Sequence, residues 1–385
     1  MTTVASSSIE QRIGAELTAR QQSDQLRSLE LVDGIDFCSN DYLGLAQQPL
    51  SLSLDEHLTL GSTGSRLVSG NSEKVLSFEQ SIARFHGFEQ GLLFSAGYAA
   101  NSGLLACLGK KGDLMLLDSL AHASLIDGAR LSFAKRIRFK HNDLCDLEAQ
   151  LIIFNANKTA QSQQAFVVVE AVYSMDGDIA PLEKLASLCK RLNAALVVDE
   201  AHSIGLYGRQ GEGLIAELGL QQDVFAAVYT YGKAMGHHGA VIAGSTALRD
   251  YLVNYCRPFI YTTAPSEHHV AMLTLAYVNM QAADDQRSRL AENLTYFAQK
   301  VKSLALDNAH WLASDTPIQA LVLRNAKRTK AVALSLREAG LAVKAIVSPT
   351  VAEGSERLRI CIHSHNSHAN MDLLANELAK QVGIV

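Results

Sequence analysis

From about residue 70 onward, short apolar runs recur at spacings that leave room for a helix between most neighbours: GLLFS at 91–95, LMLLD at 114–118, RIRFK at 136–140, FVVVEAVY at 166–173, ALVVDEA at 195–201, VFAAVYT at 224–230 and AVIAG at 240–244. Runs as continuously apolar as FVVV and LVV suit strands covered on both faces rather than strands with one wet face. The alternation therefore predicts an α/β fold, a mostly parallel central sheet wrapped by helices. In such sheets ligands sit beyond the carboxyl ends of the strands, so the residues that follow each run are the first place to look for chemistry.

The flanks read differently. The first thirty residues have a helical, amphipathic pattern, with Ile9, Ile13, Leu17 and later Leu26 on one stripe, and Asp36 to Leu45 is turn-rich. Past a helical stretch at about 284–305 the pattern becomes strand (318–323), helix (327–340), strands (342–347 and 357–362) and helix (368–382). This predicts an N-terminal helical arm over 1–45, a large α/β domain over 46–283 and a smaller C-terminal α+β domain over 284–385. No repeat, low-complexity tract or Pro-rich linker interrupts it.

Composition excludes several classes of function. With 34 basic and 39 acidic residues the net charge is −5, so nothing asks for nucleic acid or an anionic membrane as partner. The uncharged run Gln90–Gly109 holds four glycines, two serines and Asn101 and is a poor membrane span. The opening MTTVASSSIEQR lacks a basic cap followed by an apolar block, so a soluble, cytoplasmic protein is expected. The six cysteines lie at least 38 positions apart, without zinc or dithiol spacing, and read as reduced thiols. His237–His238, His268–His269 and the group His363, His365 and His368 approach metal-ligand spacing, but no cysteine or paired carboxylate completes a set, and no metal is expected. The glycine-rich stretch 61–70 has no Gly-Lys-Ser/Thr closure and is not a nucleotide loop.

The strand ends supply one carboxylate, two imidazoles, two hydroxyls and a lysine. One run leads into Asp199-Glu200-Ala201-His202, another into Ser174-Met175-Asp176-Gly177-Asp178, a third into Ser119 and His122, and a fourth into Thr230-Tyr231-Gly232-Lys233. That set suits a heteroaromatic cofactor anchored through a lysine, because a lysine amine forms an imine with an aldehyde. Asp199 ends a very apolar strand, where a carboxylate needs a cationic partner. Ser95 to Asn101 joins a strand to a helix start, where free N–H groups favour an anion and Gly97 permits close approach. Taken singly, each has a plainer reading: a surface lysine, a helix-capping Asp199, a turn serine at Ser174, a structural histidine at His122.

In combination, the stretches SNDYLGL (39–45), GSTGSRLVSGN (61–71), FSAGYAAN (94–101), HASL (122–125), VYSMDGD (172–178), VVDEAHSIG (197–205), TYGK (230–233) and SPTVAEG…RLRI (348–360) resemble the α-oxoamine synthases, fold-type-I enzymes dependent on pyridoxal 5'-phosphate (PLP). They are most similar to the branch that joins L-alanine to a pimeloyl thioester, on coenzyme A or acyl carrier protein, with loss of carbon dioxide, in biotin biosynthesis. The resemblance implies that Lys233 holds PLP and serves as base, that Asp199 faces the ring nitrogen, and that His122 stacks on the ring. It implies His202 and Ser174 near the phenolic oxygen, and Gly97, Tyr98 and Thr230 at the phosphate, joined by Thr262 and Thr263 from the other subunit of a homodimer. Arg359 matches the arginine that reads the amino-acid carboxylate, with Arg357 on the same strand face as the alternative; Arg27 matches an arginine at the acyl entrance and Thr350 a substrate-contacting threonine. Two departures bear on the acyl group: Val347 stands where the pattern can carry an arginine, and the segment from Arg27 to Ser39 is short. The alternatives within the family are glycine C-acetyltransferase, 5-aminolevulinate synthase and sphingoid-base synthase; outside it, a PLP-binding regulator without catalysis.

Overall fold

The computed structural model describes residues 7–23, 25–29, 31–48, 58–302, 304 and 309–383. The chain divides into two compact units, one formed by 40–291 with 363–365, the other by 1–39, 292–362 and 366–385.

The first unit is built on a seven-stranded sheet. In spatial order its strands are Gln90–Phe94, Ala240–Gly244, Ala226–Thr230, Ala194–Asp199, Ala165–Glu170, Leu114–Asp118 and Lys135–Phe139. The last five pair in parallel, while Ala240–Gly244 runs antiparallel to both of its neighbours. The mostly parallel sheet expected from the apolar runs is present, and the reason is visible in burial. Leu116, Val167, Val168, Val197, Val198, Ala227 and Val228 have no exposed surface, as strands sandwiched between helices require. Lys135–Phe139 is an edge strand, and its Lys135, Arg136 and Arg138 give it the charge that discourages further pairing.

Helices start where the sequence offers caps. Ser72, Asp143, Ser245 and Ser266 each accept a backbone N–H from the first turn of the helix that follows. Glu73–His86 stops at Gly87 in the left-handed region, with Phe88 N–H returning to the Ala83 carbonyl at 2.8 Å.

Two expected strands are shorter than their apolar runs. FVVVEAVY leaves the sheet at Glu170, because Tyr173 N–H bonds the Asp178 carbonyl and Gly177 N–H the Tyr173 carbonyl, closing a turn on Gly177 at φ 79°. ALVVDEA leaves at Asp199, after which Glu200 turns inward, and its carboxylate receives Leu214 N–H at 3.0 Å and Ile215 N–H at 2.6 Å.

The second unit carries an antiparallel four-stranded sheet in the order Lys344–Ile346, Arg357–Cys361, Ile318–Val322, His310–Trp311, with helices Ala326–Glu338 and His368–Val382. The single strand expected over 342–347 is two: Leu341–Ala342 pairs in parallel with Ile35–Asp36, and Lys344–Ile346 pairs with Arg357–Arg359. Within this unit the N-terminal helix covers only Ser8–Gln22, opened by a Ser7/Glu10 capping box. It stops there rather than near residue 30: Ser23 N–H closes the last regular turn on the Ala19 carbonyl, while its hydroxyl donates to the Arg20 carbonyl, a side-chain bond that competes with continuing the helix. Ile9, Ile13 and Leu17 are about half exposed.

Candidate active site

At the carboxyl ends of the central strands the first unit has a cleft of about 280 Å³, lined by side chains from Asn40, Tyr98, Asn101, His122, Ser124, Glu170, Asp199, His202, Thr230 and Lys233 among others. Sequence separations of up to 193 positions close into one site because parallel strands with helical crossovers bring every carboxyl end to the same edge.

Asp199 is the last residue of its strand and is buried. Its Oδ2 accepts from Asn101 Nδ2 at 2.6 Å and its Oδ1 from Ala201 N–H at 2.9 Å. The second Asn101 amide hydrogen goes to Ser124 Oγ at 3.0 Å, and Ser124 Oγ lies 2.8 Å from His122 Nδ1. Because Ser124 N–H also points at Nδ1, that nitrogen accepts and the proton sits on Nε2. The protein packed round the exposed His122 side chain pushes its imidazole below the ordinary range, Asp199 opposing this and Lys233 reinforcing it. A neutral His122 is consistent with both observations.

His202 is buried, with Nδ1 2.7 Å from the hydroxyl of Tyr42, which itself lies 2.9 Å from Asn40 Oδ1. If the tyrosine hydrogen goes to Asn40, His202 must donate from Nδ1, leaving Nε2 as an acceptor.

Lys233 lies in the loop between Ala226–Thr230 and Ala240–Gly244. Tyr231 anchors that loop at both ends of its peptide, its N–H bonding the Gly239 carbonyl at 3.0 Å and its carbonyl receiving His237 N–H at 2.6 Å. The side chain of Lys233 is half-buried and its charge reaches His122 and Glu170.

The helix Gly97–Leu108 opens on the cleft with Ala96 at its N-cap and no side chain capping it, so its first N–H groups are unclaimed by the protein. Thr230 Oγ1 beside it is buried and has no hydrogen-bond partner among the described residues. A Cβ at position 97 would stand 2.5 Å from Thr230 Cγ2, so only glycine lets these two segments approach. Tyr98 lines the same end, with its hydroxyl bonded to Asp127. A helix start with open donors, an orphaned hydroxyl, a lysine and a buried carboxylate fit PLP part by part: phosphate, aldehyde and ring nitrogen.

The remaining expected residues lie elsewhere. Ser174 is buried in the turn after Glu170 and is outside the lining of the cleft. Thr262 and Thr263 line a separate cavity of about 230 Å³ with Arg66, Phe94, Phe259 and His269. In the second unit, Arg27 Nη2 meets Thr350 Oγ1 at 3.4 Å on an exposed surface, which joins the arginine expected at the acyl entrance to the threonine expected to contact substrate. Arg359 and Arg357 are both buried on Arg357–Cys361, Arg359 donating to Cys361 Sγ at 3.0 Å and Arg357 to the Ser355 carbonyl at 2.9 Å. Val347 is half-buried. All six cysteines are free thiols, and Cys145 is exposed.

The Aminotransferase class I and II family matches residues 32–378. An 8-amino-7-oxononanoate synthase from Marinobacter nauticus is 37% identical over 388 residues, covering 96% of this chain and 96% of its own. The chain belongs to the 8-amino-7-oxononanoate synthase family. A crystal structure of an 8-amino-7-oxononanoate synthase from Francisella tularensis superposes with a TM-score of 0.74 at 29% identity, covering 90% of this chain and 98% of that one. A serine palmitoyltransferase from S. paucimobilis with a bound PLP–myriocin aldimine superposes with a TM-score of 0.84 at 25% identity, covering 98% of each chain. The fold is thus that of the fold-type-I PLP-dependent transferases, and PLP is the cofactor of the 8-amino-7-oxononanoate synthase family to which the chain belongs.

Sequence reasoning passed over several residues of the cleft. Asn101 closes FSAGYAAN, one helical turn after Gly97, and this i to i+4 spacing was the available signal. Asn40 and Tyr42 lie inside SNDYLGL. Glu170 ends its strand as Asp199 does, but the apolar run around it continues to Tyr173 and masks that end.

Proposed function

We propose that the chain catalyses the PLP-dependent condensation of L-alanine with a pimeloyl thioester to give 8-amino-7-oxononanoate, carbon dioxide and the free thiol carrier in biotin biosynthesis. The observation that carries this is the 37% identity over 96% of both chains to a curated synthase of that product, coupled to a cleft whose parts fit PLP. Serine palmitoyltransferases share the fold closely but at 25–27% identity, so the sequence favours the alanine and pimeloyl reading over the sphingoid-base one.

Lys233 would hold the cofactor through its amine, Asp199 would stand at the ring nitrogen, and Thr230 with the N–H groups opening at Gly97 would hold the phosphate, with Tyr98 beside it. When bound, PLP supplies an electron sink that lets a carbanion form at the amino-acid Cα. Lys233 takes the Cα proton at Nζ and delivers one after carbon dioxide leaves, the general-base work a nearby neutral amine performs. Neutral His122, whose tautomer the Asn101–Ser124 relay fixes, would stack on the ring and limit its tilt. His202, held by Tyr42, would serve the phenolic oxygen. Arg359 pairs with the substrate carboxylate through its planar guanidinium, and Arg27 and Thr350 receive the acyl donor. The acyl carrier is coenzyme A or acyl carrier protein.

The resemblance supports a homodimer in which Thr262 and Thr263 complete the partner's phosphate site. Six free cysteines suit a reducing, cytoplasmic compartment. Among the described residues, no helix is long and apolar enough to cross a membrane.

The test is turnover with an amino-acid by acyl-thioester matrix on PLP-loaded protein. Alanine with a pimeloyl thioester should give 8-amino-7-oxononanoate and carbon dioxide in equal amounts. Turnover confined to glycine or serine with another acyl group would reassign the chain within the family, and PLP binding without any turnover would make it a regulator.

A further inference from the structure

Glu170 and Asp199 end neighbouring parallel strands as register partners, so their side chains leave the sheet on the same face. Both line the cleft and both are buried, Glu170 at 2% exposure and Asp199 at 4%. Their surroundings differ. Both oxygens of Asp199 accept hydrogen bonds from Asn101 and Ala201, donors that favour an anion. The N–H groups of His122 and Ser174 bear on the Glu170 carboxyl, but its Oε1 is buried without a partner among the described residues. Two buried carboxyls at paired register positions of adjacent strands do not both ionise, and the one left with an unpartnered oxygen keeps the proton.

We propose that Glu170 and Asp199 form an unequal carboxyl pair in which Glu170 holds the proton and Asp199 the charge, so that the base of the cleft offers one negative charge to the one cationic ring nitrogen of PLP. The ring half of this statement rests on the function proposed above; the pair itself does not. Glu170 is a positioning residue here: as a neutral acid it keeps a second anion away from the site where the ring must stay singly protonated.

The groups that bear on Glu170 are divided, and burial outweighs those that oppose it. Burial pushes its carboxyl well above the usual range and Asp199 on the adjacent strand adds to this, while Lys233 from the loop and the N–H groups of His122 and Ser174 oppose it. Tyr173, on the turn that follows, has its hydroxyl buried without a hydrogen-bond partner and pushed up by burial, so it offers no charge.

Infrared spectroscopy of the cofactor-free protein with ¹³C-labelled glutamate reads the pair directly. At neutral pH a carbonyl stretch of a protonated, buried carboxylic acid should be present, should vanish on alkaline titration, and should be missing from Glu170→Gln. Burial also pushes up the carboxyl of Glu200, so Glu200→Gln, which should keep the band, assigns it even if Glu170→Gln fails to fold. A spectrum without that band at neutral pH overturns the pair. The second arm is equilibrium binding of PLP: Glu170→Gln replaces one neutral group by another and should change affinity by less than about threefold. If Glu170 were an anion beside the ring, the same change would weaken PLP by about tenfold or more, and that result would overturn the charge match. Wild-type protein that shows the band but binds no PLP would leave the pair standing and sink the ring half together with the proposed function.

Discussion

Asn101 donates to Asp199 across 98 positions of sequence, at 2.6 Å and between two buried side chains. The amide therefore ties the helix that opens at Gly97 to the strand that ends in the acid, and its other hydrogen continues the tie to Ser124 and His122. Removing it should be felt at both ends. Asn101→Ala deletes a hydrogen bond to a charged group worth about 1.5–3 kcal/mol, so PLP affinity measured by equilibrium dialysis should fall by about ten- to a hundredfold. An unchanged affinity would show that Asp199 needs no help from the helix.

Gly97 and Thr230 make a second pair. Gly97→Ala places a Cβ 2.5 Å from Thr230 Cγ2, forcing the helix start away from the hydroxyl. PLP binding should be lost, and Thr230→Ser, which removes that methyl and keeps the hydroxyl, should restore part of it in the double variant. A double variant as weak as Gly97→Ala alone would place the fault elsewhere.

Lys233 is the residue expected to become covalently attached. Borohydride reduction of PLP-loaded protein followed by peptide mapping should label position 233, and Lys233→Ala should abolish both label and turnover. A label on any other lysine would overturn the assignment of the base.

His141 bridges Asp118 at 2.9 Å and Asp178 at 2.7 Å, and these carboxylates outweigh its partial burial to raise its pKa to about 10. A histidine raised in the folded state stabilises fully below its unfolded value, near 6.5, and that contribution drains away as pH climbs to about 10. His141→Gln should cost about 1.5–3 kcal/mol at neutral pH, measured by urea unfolding. The gap from wild type should narrow steadily between pH 6.5 and 10. A gap independent of pH would mean that the imidazole is uncharged.

Arg66 and Glu79 form a bidentate pair at 2.7 and 3.0 Å with both side chains almost fully enclosed, and Glu79 also accepts Leu93 N–H at 2.8 Å. Glu79→Gln leaves a guanidinium uncompensated and should destabilise the fold by about 3–5 kcal/mol, read as a lowered urea midpoint with unchanged slope.

The sequence made the sheet legible because its strands are buried on both faces, so LMLLD and AVIAG coincide residue for residue with Leu114–Asp118 and Ala240–Gly244. Where a run outlasts its strand, as at Ala171 to Tyr173, the apolar side chains stay buried while the backbone turns, and hydropathy cannot distinguish the two. The N-terminal stripe fails for the opposite reason: its periodicity runs on to Leu26, but Ser23 captures the backbone first. In the cleft, Lys233, Asp199, His122, His202 and Thr230 come together as the strand ends suggested. Glu170 and Asn101 were hidden because their importance comes from a neighbour on another strand or helix, a relation that no single segment records.

The second unit gathers its pieces from both extremities of the polypeptide, with Ile35–Asp36 paired to Leu341–Ala342. On a ribosome the first forty residues emerge early and wait for a segment made some three hundred residues later. All seven strands of the large sheet, 90–244, are translated during that interval, so the cofactor cleft can assemble while the nascent chain is still tethered, before the smaller unit has all of its pieces.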